Sequence, residues 1–278
     1  MTATRLFEGH QLPYVSLRTS PLVPNVSPIR IYYRDEGQGT PLVLLHGGWG
    51  YGVYPFDRQI DALRSDWRLI APDRSGYGRS TRIIEGLPLD FHHRAAIETL
   101  SFLDALDIRR TFIWGHSDGA VIAAILGITA PERLSGLILE SFHYYRVKNH
   151  SREFYEKLAC HPETLGESLC RKFEAEHGKE YWKTIISNQG KAWLDIAEKS
   201  TGSDDDLYGG ALSKLLTLTL FIHGRHDPRT EPGELDAVRC TVKKCNMRVL
   251  DAYHSPHSER ASSSLVTEIA QEFLRASG

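Results

Sequence analysis

Short apolar runs alternate with helical patterns along most of the chain. In the helical patterns, apolar residues recur every three to four positions, as at Phe56, Ile60 and Leu63. The other runs are apolar almost throughout, which is typical of strands in a parallel sheet covered on both faces. The pattern predicts an α/β fold with a mostly parallel central sheet and helices on both faces. Its strands are expected at residues 29–34, 41–45, 68–71, 111–114, 134–139, 216–222 and 247–250.

This alternation stops between residues 141 and 213. The segment has many charges and scattered aromatic residues, but no apolar run typical of a buried strand. We therefore predict a mostly helical insertion that divides an α/β core into residues 1–140 and 214–278. Residues 1–28 carry several prolines and little periodicity, so we expect them to lie along the surface before the first strand.

Composition and charge argue against several kinds of partner. The 278 residues are 41% hydrophobic, which is enough for a substantial core. The formal net charge is −2, from 33 basic and 35 acidic residues, and this balance argues against nucleic acid or an anionic membrane as the main partner. No segment has the length and apolarity of a membrane span. Residues 1–10 lack the apolar stretch of a secretory signal, so we expect a cytoplasmic protein. No feature predicts the oligomeric state.

Ser117 lies where a predicted strand changes into a predicted helix. The stretch G-H-S-D-G (115–119) follows the run at 111–114 and leads into the apolar residues 120–126. A turn this sharp strains the serine backbone, and the flanking glycines remove side chains that would collide with the neighbouring strand and helix. The hydroxyl then stands at the carboxyl end of the sheet, where ligands bind in such folds. This setting is typical of a nucleophile elbow, so Ser117 is the candidate nucleophile.

A serine nucleophile needs a histidine base held by a carboxylate, and for a serine at such an elbow both are expected later in the chain, the acid before the histidine. Asp227 follows a predicted strand, and His254 comes shortly after the last one. An aspartate before proline is often an ordinary turn residue, and Pro228 follows Asp227. Glu140, at the end of the strand before the insertion, is a rival carboxylate.

A second histidine, His257, competes for the role of base. Pro256 biases the residue before it to an extended conformation and can begin the turn towards the final helix. We expect this turn to carry His257 away from the sheet edge, where it could pair with Glu259 or Arg260. His254 is therefore the preferred base.

Two backbone N–H groups should face the oxygen of an attacked carbonyl. One is expected from Asp118, directly after the serine, and the other from the loop H-G-G-W-G (46–50), where glycine lets the main chain approach a substrate closely. A dinucleotide-binding loop would need a third glycine where Val53 or Pro55 stands. The dinucleotide interpretation fails at those residues.

At this point the chain resembles the α/β-hydrolase fold family, and the resemblance covers nearly all of it. The insertion at 141–213 lies where that family has a helical cap, or lid, after its sixth strand. The resemblance rests on H-G-G-W-G (46–50), G-H-S-D-G (115–119), G-R-H-D (224–227), Y-H-S-P-H (253–257) and the loop P-D-R-S-G-Y-G-R-S (72–80).

The resemblance also implies a role for each site residue. Ser117 would be the nucleophile, Asp227 the acid and His254 the base. The N–H groups of Gly48 and Asp118 would form the oxyanion hole. Such a mechanism needs no metal and no organic cofactor.

Serine at the elbow favours acyl transfer from a small-molecule substrate to the serine and then to water. Relatives that open epoxides or remove halides attack with aspartate, where this chain has Ser117. Carbon–carbon bond hydrolases often have tryptophan after the base, where this chain has Ser255. We therefore predict a serine hydrolase of a carboxylic ester, or of a related lactone or thioester. A carbon–carbon bond hydrolase, or a ligand receptor of this fold with little turnover, stays open as an alternative. The substrate pocket is expected between sheet and cap, lined by Trp49, Phe142, His143 and Tyr144.

Overall fold

A computed structural model describes residues 13–277 of the chain. The stretch 1–10, on which the expectation of a cytoplasmic protein rests, lies outside the described residues. No helix within 13–277 combines the length and the apolarity needed to cross a bilayer.

The core is an eight-stranded sheet in the order β1-β2-β4-β3-β5-β6-β7-β8. β1 and β2 pair antiparallel, β2 pairs antiparallel with β4, and the remaining neighbours are parallel. This confirms the predicted mostly parallel α/β sheet. The strands are β1 Tyr14–Leu17, β2 Ile29–Glu36, β3 Thr40–Leu45, β4 Trp67–Pro72, β5 Thr111–His116, β6 Leu134–Glu140, β7 Thr219–Gly224 and β8 Asn246–Leu250.

Helices cover both faces of this sheet, because its central strands bury side chains on both sides. In β3, Val43 and Leu45 belong to one hydrophobic core, whereas Leu42 and Leu44 belong to the other. Helices α2 and α3 cover the first core, and α1 and α8 cover the second. Each large apolar side chain buried in this way contributes about 1.5–3 kcal/mol. The helices are α1 Asp57–Leu63, α2 Phe91–Ala105, α3 Asp118–Thr129, α4 Arg152–Cys160, α5 Glu167–His177, α6 Trp182–Glu198, α7 Glu234–Thr241 and α8 Ser263–Ser277.

One strand departs from the expectation for residues 1–28. β1 pairs with β2 at the edge of the sheet, although this part of the chain was expected to lack regular structure. It has only four residues, and Leu17 is the one that is fully buried. So short an edge strand has no alternation of apolar and polar residues that would distinguish it from a loop.

The helical insert, defined as residues 141–213, contains α4, α5 and α6 between β6 and β7. Helices α4 and α6 approach so closely that a Cβ on Gly190 would come within 3.0 Å of the backbone of Ala159. His177 of α5 accepts a hydrogen bond from the Gly78 N–H at 3.1 Å and donates one to the Trp49 carbonyl at 2.9 Å. The insert therefore packs against the loops after β3 and β4.

Candidate active site

Ser117 occupies a strained turn between β5 and α3. Its backbone has φ +54° and ψ −119°, a conformation that L side chains rarely adopt. A Cβ on Gly115 would come within 3.0 Å of the Gly119 carbonyl, and one on Gly119 within 3.0 Å of the Leu45 carbonyl. Both glycines are therefore needed so that strand, serine and helix can approach one another. The turn places the serine at the carboxyl edge of the sheet.

His254 and Asp227 lie together at the same edge. The Nδ1–H of His254 donates to the Asp227 carboxylate at 2.8 Å, and both side chains are buried. The other ring nitrogen, Nε2, is buried and has no hydrogen-bond partner among the residues that the structure describes. Asp227 Oδ1 also accepts the backbone N–H of Arg229 at 2.9 Å. The pair thus presents an oriented imidazole with one unoccupied nitrogen.

Burial and charge set the protonation state of this pair. Burial by itself raises the pKa of Asp227, but the adjacent His254 charge and the hydrogen bonds outweigh it and hold the pKa well below its usual range. Burial also lowers the pKa of His254, the charge of Arg229 lowers it further, and Asp227 only partly offsets both. The resting pair is therefore a carboxylate beside a neutral imidazole, which is the state a general base needs.

His257 belongs to a different, fully satisfied cluster. Its Nδ1 lies 2.7 Å from Glu140 Oε1, its Nε2 lies 3.1 Å from the Tyr54 carbonyl, and its ring stacks on Phe56 with centroids 4.0 Å apart. The expected pairing with Glu259 or Arg260 is wrong: the turn at Pro256 buries His257 beneath the sheet edge instead of exposing it. Glu140, the rival carboxylate, contacts His257 rather than His254.

His116 connects this cluster to the loop of His254. Its Nε2–H donates to the His254 carbonyl at 3.0 Å, and the Ser141 hydroxyl donates to the same oxygen at 2.5 Å. Ligand atoms of His116, Glu140 and His257 lie within 4.8 Å of one another, a separation that could suit a metal ion. Their hydrogen bonds already account for the arrangement, so we assign the cluster to positioning the loop.

The loop after β3 runs beside Ser117. A Cβ on Gly47 would lie 3.1 Å from the Ser117 Cβ. The Gly47 carbonyl accepts hydrogen bonds from His46 Nδ1 at 2.7 Å and from the Arg74 guanidinium at 3.0 Å. In a trans peptide the N–H points opposite to the carbonyl, so these two donors fix the direction of the Gly48 N–H. The second expected donor is the backbone N–H of Asp118. Because Asp118 is the first residue of α3, this N–H has no acceptor within the helix.

The Asp118 side chain joins the core to α6. Its Oδ1 accepts from His92 at 3.0 Å and from the Trp193 indole at 3.1 Å, and its Oδ2 accepts from the Gln189 amide. A Cβ on Gly48 would lie 2.5 Å from Asp118 Oδ2, so the network packs directly against the loop after β3. Burial alone would raise the pKa of Asp118. The hydrogen bond from His92 and the charge of His92 outweigh burial and keep the pKa of Asp118 below its usual value.

The four residues expected to line the pocket separate into two groups. His143 lies beside His254 with ring centroids 5.8 Å apart, and its buried Nδ1 has no partner within residues 13–277. Trp49 lies on the loop after β3. Phe142 instead stacks on Tyr208, and the Tyr144 hydroxyl faces Thr241 of α7 at 3.4 Å. Successive side chains of an extended segment point to opposite sides, so His143 faces the site and its neighbours face away.

Comparison with known proteins agrees with this architecture. Residues 40–153 match the family model described as the alpha/beta hydrolase fold. Over these residues the chain is similar to the α/β-hydrolase fold family. It is 24% identical over 254 residues to the serine hydrolase BPHL of Homo sapiens, covering 90% of this chain and 84% of that protein.

Solved structures show the same fold. An esterase from Thermogutta terrifontis with malate bound superposes with a TM-score of 0.70 at 22% identity, covering 95% of this chain and 98% of that chain. The enol-lactonase from Burkholderia xenovorans LB400 superposes with a TM-score of 0.69 at 19% identity, covering 95% and 100%. The serine hydrolase, the esterase and the enol-lactonase are all hydrolases, which agrees with the expectation of an α/β-hydrolase enzyme.

Three features of the site have no local signal in the sequence. Each depends on contacts between distant segments. They are the pairing of His46 and Arg74 around the Gly47 carbonyl, the pairing of Ser141 and His116 around the His254 carbonyl, and the hydrogen bonds of Asp118. The only hint is a polar residue close to the end of a strand: Ser141 comes directly after β6, and Arg74 comes two residues after β4.

Proposed function

We propose that this α/β-hydrolase is a serine hydrolase that cleaves a small-molecule carboxylic ester, or a related lactone or thioester. The observation that carries the proposal is His254: its Nδ1–H donates to Asp227, and its buried Nε2, at the sheet edge that carries Ser117, has no hydrogen-bond partner among residues 13–277. An imidazole with one nitrogen oriented by a carboxylate and the other unoccupied is suited to accept a serine proton.

In the proposed reaction, Ser117 Oγ attacks the substrate carbonyl while its proton moves to His254 Nε2. Asp227 stabilises the imidazolium that forms. The tetrahedral intermediate collapses when His254 returns the proton to the leaving alcohol, leaving an acyl group on Ser117. Water, deprotonated by His254, then hydrolyses this acyl-enzyme and restores the free serine.

The N–H groups of Gly48 and Asp118 are the proposed oxyanion hole. Asp118 begins α3, so the positive end of the helix dipole adds to its N–H. His46 and Arg74 donate hydrogen bonds to the Gly47 carbonyl and so fix the direction of the Gly48 N–H. This N–H therefore needs little reorganisation during the reaction. Losing one such donor typically lowers kcat by about 100-fold to 1000-fold.

We also propose that residues 141–213 form a cap over a core of residues 1–140 and 214–278. Two observations support this proposal: Gln189 and Trp193 of α6 donate hydrogen bonds to Asp118 at the start of α3, and the ring of His143 lies 5.8 Å from that of His254. In this arrangement the cap shapes the acyl pocket, with Trp49 and His143 as its lining.

Turnover of 4-nitrophenyl esters with acyl chains of two to eight carbons tests the proposal. Wild-type protein should release 4-nitrophenol with one preferred chain length, and Ser117→Ala should reduce turnover to background without changing the melting temperature. Undiminished turnover by Ser117→Ala, or a folded wild type inactive on every ester, would contradict the proposal.

A further inference from the structure

Arg229 lies at the boundary between the loop after β3 and the helical insert. Its guanidinium carbon is 4.4 Å from the ring centroid of Trp49 and 4.4 Å from that of Phe154 in α4. The Arg229 N–H donates to Asp227 Oδ1, so its backbone is anchored beside the candidate acid. The side chain therefore extends from the loop of Asp227 to a position against two adjacent aromatic rings, whose centroids are 5.8 Å apart.

These rings are themselves fixed in place. Trp49 stacks on Tyr54 with centroids 5.6 Å apart and meets Phe173 edge-on at 5.4 Å. A guanidinium packed on aromatic faces keeps its N–H groups in its own plane, where they are available to a planar acceptor. Arg229 is thus oriented before any ligand arrives, which lowers the entropic cost of binding.

The charge of Arg229 has no carboxylate partner. Within residues 13–277 no acidic oxygen lies within 4.0 Å of its guanidinium, and no hydrogen bond from that group to the protein is present. The nearest acid in sequence, Asp227, is occupied by His254. By contrast, the buried Lys148 is paired with Glu234 at 3.3 Å. A partly buried, oriented and unpaired guanidinium is a site for an anion.

Arg229 is also close to the reacting groups. Burial is the largest cause of the lowered pKa of His254, and the charge of Arg229 is the second. The same charge also contributes to the lowered pKa of His143 and of His116. Because Asp227 accepts hydrogen bonds from both the Arg229 N–H and His254, an anion bound at Arg229 would lie close to the candidate base.

We propose that Arg229 binds a carboxylate of the substrate, so that the natural substrate is an ester or lactone that carries a free carboxylate group. This inference rests on the proposed hydrolase function and adds to it a substrate class. A planar carboxylate matches the in-plane N–H pair of the guanidinium and can accept both hydrogen bonds at once.

Matched charged and neutral esters test the inference. Monomethyl esters of dicarboxylic acids with four to eight carbons are compared with the corresponding dimethyl esters, and acetoxyacetate with its methyl ester, by titration of released acid. For at least one pair, wild type should show a kcat/KM about tenfold to 100-fold higher for the charged ester. Arg229→Gln should remove this preference by raising KM for the charged ester alone, and Arg229→Lys should keep part of it.

Arg152→Gln is the matched control, because Arg152 is exposed on α4 and pairs with Glu156. It should behave as wild type. Equal losses on charged and neutral esters in Arg229→Gln would show a purely structural role and overturn the inference, as would a wild type that prefers neutral esters. If no ester is hydrolysed, the proposed function fails, and the inference is decided by calorimetric binding of monomethyl adipate to Ser117→Ala. Binding that disappears on adding Arg229→Gln supports it, and binding that persists or is absent in both overturns it.

Discussion

The two neighbouring histidines should respond to alanine substitution in opposite ways. His254→Ala removes the proposed proton acceptor for Ser117 but no hydrogen bond except the one to Asp227. Loss of such a base lowers kcat/KM by about 10⁴-fold or more, which corresponds to about 5.5 kcal/mol of transition-state stabilisation. The free energy of unfolding should change much less than this.

His257→Ala should instead reduce stability. It deletes the hydrogen bonds from Nδ1 to Glu140 and from Nε2 to the Tyr54 carbonyl, and it empties the space of a ring stacked on Phe56. The Tyr54 carbonyl loses this partner, which costs about 1–3 kcal/mol, whereas Glu140 keeps the backbone N–H of residue 257 and the Trp114 indole as donors. We therefore expect the free energy of unfolding to fall by about 2–5 kcal/mol, with turnover within about tenfold of wild type at temperatures where the variant is folded.

Urea unfolding and steady-state turnover of one 4-nitrophenyl ester measure both effects on the same preparations. His161→Ala is the control, because the side chain of His161 is 70% exposed. A His257→Ala variant with wild-type stability and negligible turnover, beside an active His254→Ala, would refute the assignment of the two histidines.

Two further predictions follow from the same geometry. Gly119→Ala should destabilise the fold by about 3 kcal/mol or more, because its Cβ would meet the Leu45 carbonyl within 3.0 Å, whereas Gly202→Ala, with nothing within 4 Å, should be tolerated in thermal unfolding. Equal melting temperatures for the two variants would contradict this. Because the base must be neutral and the pKa of His254 is lowered from 6.5, kcat/KM should stay constant from pH 8 to about 6.5 and fall only below that. A pH–rate profile with its midpoint above pH 7 would oppose this.

The positions of Ser117, Asp227 and His254 at one edge could be predicted because each lies at or shortly after the end of a strand. In a parallel sheet the carboxyl ends of such strands lie at one edge, so chain order and strand ends are sufficient. Gly115 and Gly119 lie in the same short stretch as Ser117, so the sharp turn and the need for glycine there could be predicted together.

Other contacts could not be predicted because they depend on side-chain direction and on distant pairing. Glu140 and His257 are separated by 117 positions, and nothing near either residue indicates the other. Phe142 and Tyr144 were expected in the pocket with His143, but the direction of each side chain depends on the backbone turn at Ser141, where φ is +51°. Arg229 resembles any loop arginine until the fold brings it against the adjacent rings of Trp49 and Phe154.

Covalent labelling of Ser117 tests the central claim most directly. A fluorophosphonate reacts with a serine only when a base activates it and an oxyanion site receives the phosphoryl oxygen, so the reaction requires the whole proposed site. Wild-type protein should gain the mass of one adduct, located by tandem mass spectrometry on the peptide that contains Ser117. Ser117→Ala should gain none, and His254→Ala should react at least about 1000-fold more slowly. An adduct on another residue, or equal labelling of Ser117→Ala, would contradict the account.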